Sequence, residues 1–303
     1  MSLELDSMAT VKSSLLEKDV HTERIRSYQS PDTVNDISTD VEEICDDDTF
    51  HSNLTCVDRL KNSLKEYVAS PQLLLELVVV IIFWNFCIML PQILGLQVHE
   101  RPIPYQVLNN SGDVVLEFDL NHDYVYPENQ TIPVGLLFSS CFYIPLTLLP
   151  LFGIFAGRRY DAHAIVCVFL MSSALSDIIS ALIKLYVGRL RPNFYNMCEF
   201  NTESLQCEGD DEYNTEARKS FPSGHSTMAF SAYTVIILFL LGKAQTVKKP
   251  YKKKVLSIFA AFPITYAFFV AASRVRDNWH HPSDVIAGSC IGFLCAFFSY
   301  SLW

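Results

Sequence analysis

The run "LLLELVVVIIFWNFCIMLPQILGL", Leu73 to Leu96, holds one charged side chain, Glu76, in 24 residues. At about 1.5 Å of rise per residue, a helix of that length crosses a hydrocarbon layer about 30 Å thick. A continuous apolar run reads as a helix, since strands of a membrane barrel alternate in polarity. Five more runs follow, at Ile132–Ala156, Ala164–Val187, Ser226–Gly242, Val255–Ala272 and Val285–Trp303. The expected architecture is therefore all-α and polytopic, with six transmembrane helices. The bulk numbers agree: half of the 303 residues are hydrophobic and the mean hydropathy is +0.21.

The net charge of −10 is unevenly placed. Residues 1–50 carry 13 acidic and 4 basic residues, hence −9, which leaves −1 for the rest. No broad cationic face is left for nucleic acid. Residues 1–68 read as a disordered acidic cytoplasmic tail, containing "DVEEICDDD". Residues 69–303 read as the membrane domain. The opening "MSLELDSMAT" lacks the basic start and apolar core of a secretory leader, so the first span is expected to act as its own insertion signal.

Orientation follows from lysine and arginine. Arg59, Lys61, Lys65, Arg158, Arg159, Lys243 and the five lysines of "KKPYKKK" give 11 cations on one side. Arg101, Arg189, Arg191, Arg218, Lys219, Arg274 and Arg276 give 7 on the other. The richer side is expected to be cytoplasmic, with both termini there. The first, third and fifth links then face the lumen or the exterior. Glycosylation sequons at Asn109 and Asn129 fall in the first link, on that outer side. The sequon at Asn53 would be cytoplasmic and unused. Cys198 and Cys207 share the third link, and their spacing leaves both pairing and free thiols open.

Polar groups crowd toward the outer span ends, where ionisable side chains usually face a cavity with partners. They lie in "KLYVGRLRP" (Lys184–Pro192), "FPSGHS" (Phe221–Ser226) and "SRVRDNWHHPSD" (Ser273–Asp284). Taken singly, each has a plain reading: a snorkelling cation, a turn before a helix, an incidental histidine pair. Their meeting on one side of one membrane is what asks for chemistry. Asp177 and Glu76, inside spans, fit no part of this; Asp177 is expected to be a buried hydrogen-bonding group.

Three spacings match a known pattern. Lys184 and Arg191-Pro192 are separated by six residues, Pro222-Ser223-Gly224-His225 follows, and Ser273-Arg274, His280 and Asp284 are spaced by five and three. In this order they resemble the three motifs of the lipid phosphate phosphatases, in the type-2 phosphatidic acid phosphatase superfamily. The resemblance covers about residues 70–303. It implies a phosphate cradle of Lys184, Arg191, Ser223, Gly224 and Arg274. It also implies His280 as nucleophile, Asp284 as its orienter and His225 as general acid. "ERPIP", Glu100 to Pro104, is similar to a stretch in yeast and plant members.

Local chemistry supports these roles. Guanidinium forks match phosphate oxygens and lysine adds a point charge. Amides at the start of the fourth span favour an anion. Pro282 suits the first position of the last helix, which makes His281 the cap and Asp284 the third helical residue. From there Asp284 can reach back over the cap and accept the Nδ1 proton of His280. His281 then reads as a cap or packing residue, and Arg276 and Asp277 as an entrance rim. The sequence offers no HExxH, Cys/His zinc spacing or acidic octahedral cluster, so no metal and no cofactor is expected.

The resemblance implies phosphatidate, lysophosphatidate or diacylglycerol pyrophosphate as substrate, hydrolysed through a phosphohistidine. A sphingoid-base phosphate phosphatase is the neighbouring alternative. A non-enzymatic lipid-phosphate binder or a transporter is the alternative of another class. The expected partners are the lipid phosphate and the bilayer of a plasma or secretory-pathway membrane, with a homo-oligomer left open.

Overall fold

A computed structural model describes residue 65 and residues 70–110, 113–125, 129–155 and 159–303. Apart from residue 65, the expected tail, with the Asn53 sequon, Arg59 and Lys61, lies outside the described residues, as does Arg158 in the second link.

Among the described residues, six helical segments are long and apolar enough to cross a membrane: Pro71–Ile93, Val134–Phe152, Asp161–Val187, Gly224–Gln245, Pro250–Arg276 and Pro282–Leu302. Each lies close to its expected run. The first span is helix α1 (Pro71–Ile93). The second is α2 (Val134–Phe138), a π-helical turn at Ser139–Tyr143 and α3 (Ile144–Phe155). The third span lies in α4 (Arg159–Val187). Outside the bilayer come the short α5 (Phe194–Met197) and α6 (Asp211–Ala217). The fourth span is α7 (Gly224–Gln245). The fifth span read as one run but is two helices, α8 (Pro250–Ala261) and α9 (Ile264–Arg276). Pro263 lies between them, and proline lacks the amide a continuous helix would need there. The last span is α10 (Pro282–Leu302). The described strands form two small antiparallel hairpins in the links, β1 (Tyr105–Asn110) with β2 (Asp113–Phe118) and β3 (Phe200–Asn201) with β4 (Gln206–Cys207).

The third and fourth spans are the centre of the bundle, half or more buried, whereas the first is 11% buried. Apolar residues can face lipid as readily as protein, so burial here depends on shape more than polarity. The main core joins Val168 and Phe169 of α4, Phe230 and Val235 of α7, Val270 of α9 and Val285 of α10. Helices α7 and α10 meet backbone to backbone. A Cβ on Gly288 would lie 2.5 Å from the Ser223 carbonyl oxygen, and one on Gly292 would lie 2.3 Å from that of Thr227. No side chain other than hydrogen fits at either place.

Polar pairs tie the spans together. Glu76 of α1, unexplained by sequence, meets His163 Nε2 of α4 at 2.9 Å. Asp161 of α4 is paired with Lys243 of α7. Asp177 is not the buried group expected: it is exposed on α4 and borders a small cavity beside Ser176, Ser180 and Thr227.

A second core lies in the links. Leu190, Phe194, Tyr195, Met197, Cys198 and Ala217 pack together with Trp279 against them. Cys198 and Cys207 form a disulfide here. The first link is laid over this layer. His99 N–H donates to the Leu185 carbonyl at 2.8 Å, Arg101 Nε to that of Val187 at 2.7 Å, and Tyr195 Oη to that of Pro104 at 2.7 Å. "ERPIP" is thus an anchoring segment. Gly188 makes the approach feasible, having φ +55° and no Cβ to strike the His99 carbonyl.

Gly292→Ala should therefore destabilise the protein by about 1–3 kcal/mol, as overpacking does in tight cores. Gly135→Ala, where the added methyl meets nothing within 4 Å, should be neutral or better. Thermal unfolding of both variants in detergent micelles checks this; equal midpoints would refute the close α7–α10 contact.

Candidate active site

Antiparallel spans bring the end of α4, the start of α7, the end of α9 and the start of α10 to one end of the bundle. A cavity of about 350 Å³ opens there. It is lined by Lys184, Arg191, Gly224, His225, Arg274 and His280, with Gln130, Met197, Glu216 and Trp279 among its walls. Of the eight residues expected from sequence, six line it. Ser223 and Asp284 do not, and both are completely buried behind it.

His280 is fixed by a carbonyl. Its Nδ1 lies 2.7 Å from the Ser220 backbone oxygen. A carbonyl only accepts, so Nδ1 carries the proton and Nε2 keeps its lone pair. This corrects the expected direct bond to Asp284, whose Oδ2 is 3.8 Å from Nδ1. The Asp284 carboxylate is already occupied. It accepts from Ser220 Oγ at 2.5 Å, Arg189 Nη1 at 2.6 Å and the His281 amide at 2.9 Å. The reach back over the cap is as expected, with His281 at the cap and Pro282 first in the helix. Asp284 acts on His280 through Ser220, whose hydroxyl it holds while the Ser220 carbonyl holds the imidazole. His281 packs aside, its Nε2 3.2 Å from the Leu190 carbonyl and its ring against His122.

The cations come next. Arg191 donates from Nε to the Glu216 carbonyl at 2.7 Å and from Nη2 to the Glu216 carboxylate at 3.2 Å. Its guanidinium stacks 4.6 Å above the Trp279 ring. Lys219 also donates to Glu216, at 2.7 Å. Burial raises the affinity of the Glu216 carboxyl for a proton, but Lys219 and Arg191 outweigh it and hold the group below its ordinary range. Arg274, 1% exposed, donates to Asp277, Gln130 and Ser273. Asp277 is thus buried against Arg274 and is not the entrance rim expected of it.

Gly224 has a steric task. A Cβ there would sit 2.9 Å from Lys184 Nζ, so the missing side chain is the space the lysine enters. Ser223 caps α7, its Oγ accepting from Ser226 Oγ at 3.1 Å. It shapes the helix start, and its hydroxyl does not line the cavity. His225 follows, with Nε2 buried and without a hydrogen-bond partner among the described residues. An unpaired buried nitrogen facing a cavity is costly unless a ligand completes it.

Residues 165–303 match the family model described as the PAP2 superfamily. Among curated proteins, Lipid phosphate phosphatase 1 of Arabidopsis thaliana is 33% identical over 60% of this chain and 58% of its own length. Lipid phosphate phosphatase 2 of the same plant is 31% identical over 60% of this chain and 66% of its own. Diacylglycerol pyrophosphate phosphatase 1 of Saccharomyces cerevisiae is 29% identical over 60% of this chain and 68% of its own. The chain thus matches less than two thirds of the length of the two plant relatives. The matched residues contain all three motifs, while the first link, which supplies Gln130, precedes them.

Arg189, Ser220, Glu216 and Trp279 were not singled out from sequence. Arg189 stands two residues before Arg191, so its proximity was readable. Ser220 acts through its carbonyl, which every residue has.

Burial, reinforced by Arg191 and Lys184 and opposed by Asp284, pushes the His280 pKa down from 6.5 to about 4. Between those values the unfolded chain binds a proton at residue 280 that the folded chain refuses. Stability from this residue is therefore complete above the ordinary value and is lost as pH falls toward 4. Unfolding midpoints measured from pH 7 to 4 should fall more steeply for the wild type than for His280→Asn. Parallel curves would contradict a neutral, buried His280.

Proposed function

We propose that this chain is an integral-membrane lipid phosphate phosphatase, with residues 69–303 as the catalytic unit. Its substrates are phosphatidate and the related lysophosphatidate or diacylglycerol pyrophosphate. The observation that carries this reading is His280, held by Ser220 so that an unprotonated Nε2 is available at a cavity walled by three cations. The names of the similar proteins support the same substrate class.

The phosphate of the lipid enters among Lys184, Arg191 and Arg274. His280 Nε2 attacks phosphorus in line, forming a P–N bond as the P–O bond to the lipid alcohol breaks. His225 gives its proton to the departing oxygen, so the lipid leaves as an alcohol. His225 then takes a proton from water, whose oxygen attacks phosphorus and breaks the P–N bond. Inorganic phosphate leaves and His280 is restored. Charge gathering on the equatorial oxygens is met by the two guanidiniums and the ammonium. Cations fixed by the chain serve where other phosphatases use a divalent metal.

The same reading puts the site at the lumenal or extracellular face, with both termini cytoplasmic. The support is the lysine-rich stretch Lys243–Lys254 at the opposite end of the fourth and fifth spans. Protease digestion of intact cells should spare a tag between α7 and α8.

Phosphate release from phosphatidate micelles tests the chemistry. Activity should survive EDTA and be blocked by vanadate, whose bipyramidal adduct resembles the transition state. His280→Ala should abolish turnover, and His281→Ala should retain most of it. Removing Lys184, Arg191 or Arg274 should cost about 2–5 kcal/mol, or roughly 30- to several-thousand-fold in rate. Complete loss in EDTA with recovery by magnesium would overturn the mechanism. An exchange of the two histidine phenotypes would overturn the assignment of the nucleophile.

A further inference from the structure

Arg274 is nearly buried, and a guanidinium in such a place must have its donors matched. Three of its five N–H groups are matched within the protein. Nε donates to Ser273 Oγ at 3.2 Å, Nη2 to Asp277 Oδ2 at 3.1 Å and Nη1 to Gln130 Oε1 at 3.1 Å. One N–H on each terminal nitrogen remains. These two are left to donate to the oxygens of a bound phosphate.

Asp277 has its own partners in the first link. The Thr131 amide donates to its Oδ2 and the Thr131 hydroxyl to its Oδ1, both at 2.7 Å. The Asp277 amide is turned back to the Ser273 carbonyl at 2.9 Å. The carboxylate is therefore fixed on both oxygens, and it fixes the guanidinium in turn. Gln130, the neighbour of Thr131, lines the cavity itself. Its amide orientation follows from chemistry: a guanidinium only donates, so Oε1 must face Arg274. The amide NH₂ points away from Arg274 and keeps two donors for something else.

We propose that the first link completes the phosphate site, with Thr131 and Asp277 as positioning residues for Arg274 and Gln130 donating its amide NH₂ to an oxygen of the bound phosphate. The lipid phosphatase reading supplies the ligand; the network itself is independent of which lipid carries the phosphate. The three residues lie outside the motif positions. Two of them precede the domain matched by the family model.

The test uses the full chain in detergent. Vanadate binding is followed by fluorescence of Trp279, which lies over Arg191 in the same cavity, and turnover by phosphate release from phosphatidate. Thr131→Val removes the hydroxyl and keeps the shape. It should weaken vanadate binding and kcat/KM by on the order of tenfold, as losing one partner of a buried polar group does. Thr131→Ser should restore both. Asp277→Asn should lose more than Thr131→Val, because it leaves the Arg274 charge uncompensated. Gln130→Leu should weaken vanadate binding without moving the thermal midpoint. Thr131→Val also removes the Asn129 sequon, so Asn129→Gln serves as the control and should behave as wild type.

Wild-type vanadate affinity in both Thr131→Val and Gln130→Leu would overturn the proposal, as would equal defects in Thr131→Val and Thr131→Ser. If Asp277→Asn does not fold, those two variants decide. If the wild type releases no phosphate from any lipid, the phosphatase reading falls, while the vanadate titration still judges the network.

Discussion

One carboxylate joins the parts of this protein that the membrane keeps apart in sequence. Asp284, completely buried at the start of α10, accepts from Arg189 beyond α4, from Ser220 before α7 and from the His281 amide at its own helix cap. The Asp284 carbonyl also receives the Ser223 amide. A buried charge must be matched or it destabilises the fold, and matching it here draws the ends of three spans to one point. The orientation of His280 is a by-product of that arrangement. Ser220 is held by its hydroxyl, and its carbonyl is then in place for the imidazole.

The spans were legible because lipid-facing helices must be long and apolar, and no soluble segment imitates a run such as Leu73–Leu96. The helix cap at His281-Pro282 was legible for a similar reason: proline has few places to go. The break of the fifth span at Pro263 was marked by the residue itself, although the apolar run continued across it. The cradle was legible in its cations and opaque in what holds them. Glu216 and Asp277 are ordinary surface residue types at ordinary spacings, and their value comes from what the fold places beside them. Ser220 shows the limit plainly, since a backbone carbonyl leaves no trace in sequence. Ser223 and Asp284 were read as site residues, and the structure places both one layer behind the cavity wall.

The two arginines share a scheme. Each has part of its guanidinium engaged within the protein, Arg191 by Glu216 and Arg274 by Ser273, Asp277 and Gln130. An arginine fixed in this way loses little side-chain freedom when an anion arrives, so less of the binding energy is spent on ordering it. The partners also reduce repulsion between cations that would otherwise face each other across an empty cavity.

The backbone contact at Gly288 and Gly292 bears on how the protein lives in its solvent. His225 is the second residue of α7, and His280 stands two residues before α10. With those helices touching main chain to main chain, the histidines belong to one rigid piece. Bilayers differ in thickness, and helices answer by tilting. Here a tilt carries both histidines together, and the distance between them is insulated from the lipid composition around the protein. The first span, 11% buried within the protein, lies at the margin of that piece and can follow the bilayer without moving the two histidines apart.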